Sequence, residues 1–139
     1  MSSVREQARR MGGCLCGAVR FEARGEPVGV TVCHCPSCRR AAGAQAVAWA
    51  MYPIDQVRTL AGEPRRHASS PGTLRAFCSD CGTSLSYESE QLAGMIDLTV
   101  GSFDDPESLP PQAHIWCRHR LAWVRGDDGL PAYEDWPPM

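Results

Sequence analysis

The chain of 139 residues contains no lysine. Its fourteen basic residues are all arginine, set against sixteen acidic ones for a net charge of -2. They are scattered, with only short pairs at Arg9-Arg10, Arg39-Arg40 and Arg65-Arg66, so the chain lacks the basic stripe that tracks nucleic acid. No apolar run approaches the roughly 20 residues of a membrane-spanning helix, which excludes such a span. The opening Met1-Ser2-Ser3-Val4-Arg5-Glu6 has no apolar core of a secretory signal, and the expectation is a cytoplasmic protein whose thiols stay reduced. Linker-like and low-complexity tracts are also missing, so the length reads as one domain. A chain of this size buries about two thirds of its unfolded surface and does not need a metal merely to fold.

What the chain does have is cysteine. Seven of its eight cysteines fall into three clusters, Cys14-Leu15-Cys16, Cys33-His34-Cys35-Pro36-Ser37-Cys38 and Cys78-Ser79-Asp80-Cys81. An even count invites a disulfide framework, but such frameworks belong to short secreted domains. Close CxC and CxxC spacings suit one ion better than distant crosslinks. Structural zinc takes four thiolate or imidazole ligands, whereas catalytic zinc takes three and keeps an open position. Two clusters of two therefore make a closed site, and the cluster of three does not.

Between the clusters the sequence reads as short strands separated by turn residues. Alternating apolar and polar residues place strands at 17–23, 28–32, 46–52, 65–68, 74–77, 84–87, 96–100 and 113–116. Only 38–42, 54–57 and 105–108 suggest helix, about one turn each. Residues 1–10 read as a polar helical or frayed lead, and Asp135-Trp136-Pro137-Pro138-Met139 as an irregular tail.

Local geometry shows how each cluster gathers sulfur. Residues i and i+2 of an extended segment point to one side, so Cys14 and Cys16 can meet one ion with Leu15 facing away. A CxxC pair does the same across a tight turn, which Gly82 lets the chain leave. One zinc joining the pair at 14 and 16 to the pair at 78 and 81 would clasp distant parts of the domain and contribute folding free energy directly. Cys33, Cys35 and Cys38 supply three thiolates, a net charge of about -1 with Zn²⁺, and a position open to water, a thiol or a carbonyl oxygen. Alternatively His114 or Cys117 closes this site into a second staple. His34, between two ligands on a strand, points the other way.

These residues carry a resemblance. The runs Gly13 to Glu22, Cys33 to Ala44, Phe77 to Leu85, Ile96 to Pro106, His114-Ile115-Trp116 and Leu130 to Tyr133 resemble, in order and spacing, the glutathione-dependent formaldehyde-activating enzyme family, which includes centromere protein V. The likeness covers 12–133, leaving 1–11 as an extension and 134–139 as a tail. It implies a mainly β fold, a zinc-binding β-tent of short antiparallel strands with a few one-turn helices. It also implies structural zinc at Cys14, Cys16, Cys78 and Cys81, catalytic zinc at Cys33, Cys35 and Cys38, and a carbon-sulfur lyase activity joining glutathione or a similar small thiol to formaldehyde or another aldehyde. Two zinc ions per chain are expected, with the second site able to stand partly filled.

In that reading a thiolate held at the open site attacks the aldehyde carbon. His114 is the candidate acid, and Arg39 and Arg40 are candidates for bidentate pairing with substrate carboxylates, one of the two lying on a solvated helix face. Trp49, Trp116 and Trp123 are candidate pocket walls or core residues. His67 and His119 read as exposed, Asp97 and Asp104 as turn and structural residues, and Cys117 as a small buried residue or a fourth ligand. The competing function is a non-catalytic zinc module that binds protein with both sites structural; a zinc-ribbon-like nucleic-acid binder is disfavoured by the acidic balance.

Overall fold

The computed structural model describes residues 8–138. Ten strands follow one another along the chain: β1 (Arg9–Gly13), β2 (Arg20–Arg24), β3 (Gly29–Cys33), β4 (Val47–Pro53), β5 (Val57–Ala61), β6 (Arg65–Ser70), β7 (Thr73–Phe77), β8 (Ser84–Ser89), β9 (Met95–Thr99) and β10 (Ala113–Ile115). Among the described residues the one α-helix is α1 (Pro36–Ala42), and single 3₁₀ turns include Ile54–Gln56, Pro106–Ser108 and Cys117–His119. The fold is mainly β, as expected from the short alternating runs.

The strands form two sheets. One has three strands in the order β1-β2-β5, the other seven in the order β10-β3-β4-β9-β8-β7-β6. All pairings are antiparallel except that of β10 with β3, which is parallel. Alternation along each strand sorts side chains onto two faces. One face of the larger sheet carries Val30, Ala50, Tyr52, Leu85, Ile96 and Leu98, which pack with Phe21, Ala23, Phe103 and Leu109 into the main core. Phe21 meets Phe103 edge-on at 5.1 Å, a favoured aromatic geometry. The opposite face carries Cys33, Val47, Trp49 and Ile115, with Tyr87 and Trp116 packed against them.

Three local expectations differ from the structure. Arg9 and Arg10, assigned to a helical or frayed lead, open β1 instead, because Arg10 is held by Glu26 at 3.3 Å and Ser108 at 3.0 Å; residues 1–7 of that lead lie outside the described residues. Strand β5 was not expected: Val57–Ala61 is almost wholly exposed, so its sequence shows no buried face. The segment Cys14-Leu15-Cys16 forms a turn rather than a strand.

β1 sits close against the core. A methyl group added at Gly12 would lie 2.4 Å from the Phe21 ring, 2.6 Å from the Ser102 carbonyl oxygen and 2.9 Å from Phe103 Cα. Two of those neighbours are backbone and cannot swing away. Gly12→Ala is therefore expected to cost about 1–3 kcal/mol, the usual range for overpacking, read as a lower urea midpoint at unchanged slope; an unchanged midpoint would show that β1 yields freely.

Candidate metal centre

None of the eight cysteines is in a disulfide. Cys14, Cys16, Cys78 and Cys81 converge with their sulfurs within 4.8 Å of one another, and so, separately, do Cys33, Cys35 and Cys38.

The four-sulfur group is built from two similar turns. Cys14 accepts at its carbonyl from Gly17 N at 3.1 Å, and Cys78 from Gly82 N at 2.7 Å. Gly17 and Gly82 both have φ of +82°, the left-handed region where glycine alone is unstrained. Val19 N donates to Cys14 Sγ at 3.2 Å, and the Thr83 hydroxyl at 3.2 Å helps lower the Cys81 thiol to about 5. A zinc-sulfur bond of about 2.3 Å sets tetrahedral sulfur-sulfur edges near 3.8 Å. Observed separations are 3.6 Å for Cys14 to Cys16 and 3.9 Å for Cys16 to Cys78, so the donor set fits zinc. Leu15 points away and is 88% exposed.

The three-sulfur group sits where β3 passes into α1. Cys33 ends the strand, and Cys35 caps the helix, its sulfur accepting from Cys38 N at 3.3 Å. Pro36 follows at the first helical position, where its fixed φ suits the helix and its missing N–H costs nothing. Hydrogen bonds from Cys33 and then Cys38 drive the Cys35 thiol down to about 2, while Cys33, as donor, is pushed up. The shared hydrogen bonds thus favour one thiolate, at Cys35, with Cys33 and Cys38 both raised.

Among the described residues no fourth protein ligand joins the three sulfurs. His34 is turned inward and its Nε2 lies 2.9 Å from His114 Nδ1, while His114 Nε2 lies 2.7 Å from Asp128 Oδ2. Both His114 nitrogens are therefore engaged away from the sulfurs. Cys117 stands outside the group, half-buried, its thiol pushed up by burial and so held protonated. The two residues that stood as alternative closing ligands leave the site at three.

A cavity of about 1390 Å³ opens over the non-core face of the larger sheet, and Cys33, Cys35 and Cys38 line it. None of the four clasp cysteines does. Arg40 lines the cavity and Arg39 does not; Arg39 Nε is buried without a hydrogen-bond partner among the described residues. Trp49 and Trp116 form walls, whereas Trp123 is 69% exposed elsewhere. His67 and His119 are exposed, as expected, yet both border the opening. Asp104 is structural, clamping Arg20 through two bonds of 2.9 and 2.5 Å.

Four lining residues were not singled out as site residues from sequence. Arg75, Tyr87 and Asp97 stand in register on β7, β8 and β9 and border the cavity, and Trp136 reaches it from the C-terminal segment, meeting Trp116 edge-on at 5.5 Å. Asp97, within the strand expected over 96–100 but read only as a turn or structural residue, lies in β9, where burial raises its carboxyl to about 7. The alternation Ile96-Asp97-Leu98 carried the signal: the polar residue must face away from the core.

A family model described as glutathione-dependent formaldehyde-activating enzyme matches residues 9–119. The chain belongs to this family. No curated protein matches it in sequence. A crystal structure of a Rhodobacter sphaeroides protein superimposes with a TM-score of 0.57 at 20% identity, over 88% of this chain and 98% of that one; the likeness is one of fold. No described helix is long and apolar enough to cross a membrane.

Asp97 gives a pH-dependent prediction. The folded chain keeps a proton up to about pH 7 that an ordinary carboxyl loses near 3.8. Where the folded state binds more protons, stability falls as pH rises, so the loss accrues between those values and is constant above the higher one. Relative to Asp97→Asn, the wild type should lose stability between pH 5 and pH 8, seen in urea midpoints. Parallel profiles would mean that Asp97 ionises normally.

Proposed function

We propose that this chain is a zinc-dependent carbon-sulfur lyase of the family's thiol-aldehyde type, working on glutathione or a similar small thiol and an aldehyde. The observation that carries this is the contrast between the clusters: the three-sulfur group lines the large cavity without a fourth protein ligand, while the four-sulfur group stands outside it. A centre meant only to staple the fold has no reason to face such a space.

Cys33, Cys35 and Cys38 would hold the reactive zinc, and Cys14, Cys16, Cys78 and Cys81 the structural one. When bound at the three-sulfur centre, zinc supplies a Lewis acid that keeps a thiol as thiolate at neutral pH. The thiolate sulfur forms a bond to the aldehyde carbon, the carbonyl π pair moves to oxygen, and that oxygen takes one proton. In the reverse direction the hydroxyl gives up its proton and the carbon-sulfur bond breaks. Arg40, which lines the cavity, would pair with a substrate carboxylate. His114 acts through His34 and Asp128, holding the segment between Cys33 and Cys35 in place, so the proton comes from water or from a group bordering the cavity. The cytoplasm, where thiols remain reduced, suits this chemistry.

The purified chain should hold two zinc ions, and Cys35→Ser one. Glutathione should bind the two-zinc protein and not the Cys35→Ser variant, read by calorimetry. With formaldehyde, exchange between free glutathione and its hydroxymethyl adduct should exceed the uncatalysed rate, read by NMR exchange spectroscopy against a protein-free control. Two intact zinc sites with no thiol binding and no exchange above background would favour the protein-binding module instead.

A further inference from the structure

Arg75 is placed unlike the other cavity arginine. Its Nη1 and Nη2 lie 4.0 and 3.9 Å from Cys38 Sγ, and its guanidinium carbon lies 4.9 Å from the centre of the Tyr87 ring. Tyr87 is its partner across the β7-β8 ladder and is backed by Trp49 at 6.0 Å between ring centres. Arg10, Arg20, Arg58, Arg66 and Arg118 each pair with a carboxylate, whereas among the described residues no carboxylate lies within 4.0 Å of Arg75. It is a half-buried cation turned to the Cys38 sulfur of the three-cysteine group.

We propose that Arg75 is the charge-balancing residue of the three-cysteine centre, positioned on Tyr87, and that it sets the preference of that centre for an anionic sulfur ligand over a neutral one. Three thiolates and Zn²⁺ sum to -1, and a fourth, incoming thiolate brings the sum to -2 in a site partly shielded from water. A guanidinium in contact with Cys38 returns it to -1. A neutral ligand such as imidazole adds no charge and gains nothing comparable. Arginine suits the task because its planar fork can donate to sulfur while its face rests on an aromatic ring, which a lysine ammonium cannot do in the same way. Partners that hydrogen-bond to metal ligands typically change metal affinity 10- to 100-fold when removed. The choice of ligand rests on the proposed function; the effect on zinc affinity does not.

The test uses the full chain loaded with zinc and titrated with a chromophoric chelator. Arg75→Met should weaken the second zinc by about 10- to 100-fold and leave the first unchanged, with Arg75→Lys in between. A second readout replaces zinc with cobalt and follows the visible absorption as glutathione or imidazole is added. Arg75→Met should weaken glutathione by about 10-fold or more and leave imidazole unchanged. If Arg75→Met fails to fold, Tyr87→Leu, which removes the platform, should weaken glutathione selectively as well. A variant with a lower melting temperature but both affinities intact would overturn the proposal, and so would an equal loss of glutathione and imidazole. A wild-type centre that binds imidazole but no thiol would sink the proposed function and the ligand preference together, while the chelator titration would still decide the effect on zinc.

Discussion

Four sulfurs drawn within 4.8 Å of one another from two distant turns are the constraint on which the rest of the architecture depends. As thiolates they repel, and as thiols they gain little from meeting, so the arrangement suits a cation held between them. Structural zinc contributes about 10–16 kcal/mol of apparent binding free energy in small domains at neutral pH. That exceeds what any other single contact in a chain of this size can offer. Because one turn follows β1 and the other separates β7 from β8, a zinc ion held by these four sulfurs would fasten the small sheet onto the far half of the large one.

With the core closed on one face, the large sheet is free to use the other. A strand cannot send adjacent residues to the same side, so every residue committed to the core leaves its neighbours for the cavity. Ala50 and Tyr52 go inward while Trp49 and Met51 go outward, and Ile96 and Leu98 go inward while Asp97 goes outward. The same alternation places Cys33 and His34 in opposite surroundings, one toward the sulfur centre and one toward His114. The mixed aromatic and polar floor of the cavity, with Trp49 and Met51 beside Arg75 and Asp97, is thus a by-product of the hydrophobic pattern that makes the fold.

Much of this was legible in the sequence because spacing and alternation are local. The clusters, and the turn of His34 away from the cysteines on either side of it, follow from neighbouring residues alone, and the division into four and three follows from counting ligands. Whether Cys117 or His114 would complete the second site did not follow, since that depends on how β10 lies beside β3, with His34 and His114 eighty positions apart. β5 was hidden because its side chains are exposed on both faces, which leaves no period to read. Arg75 could be placed on a strand, but its approach to Cys38 is a contact across 37 positions that no short-range rule supplies. Trp136, at the end of the chain, gave no periodic signal at all.

The parallel pairing of β10 with β3 has a consequence for the order of assembly. β3 carries the first of the three cavity cysteines and has β4 on one side; its other side is completed only by β10, at Ala113–Ile115. Synthesis runs from the N-terminus, so all four clasp sulfurs exist as soon as Cys81 has been made. The strand that leads into the second centre must wait with one edge unpaired until the final quarter of the chain emerges. The edge of the three-cysteine centre is therefore completed only after the sulfurs of both clusters have been made.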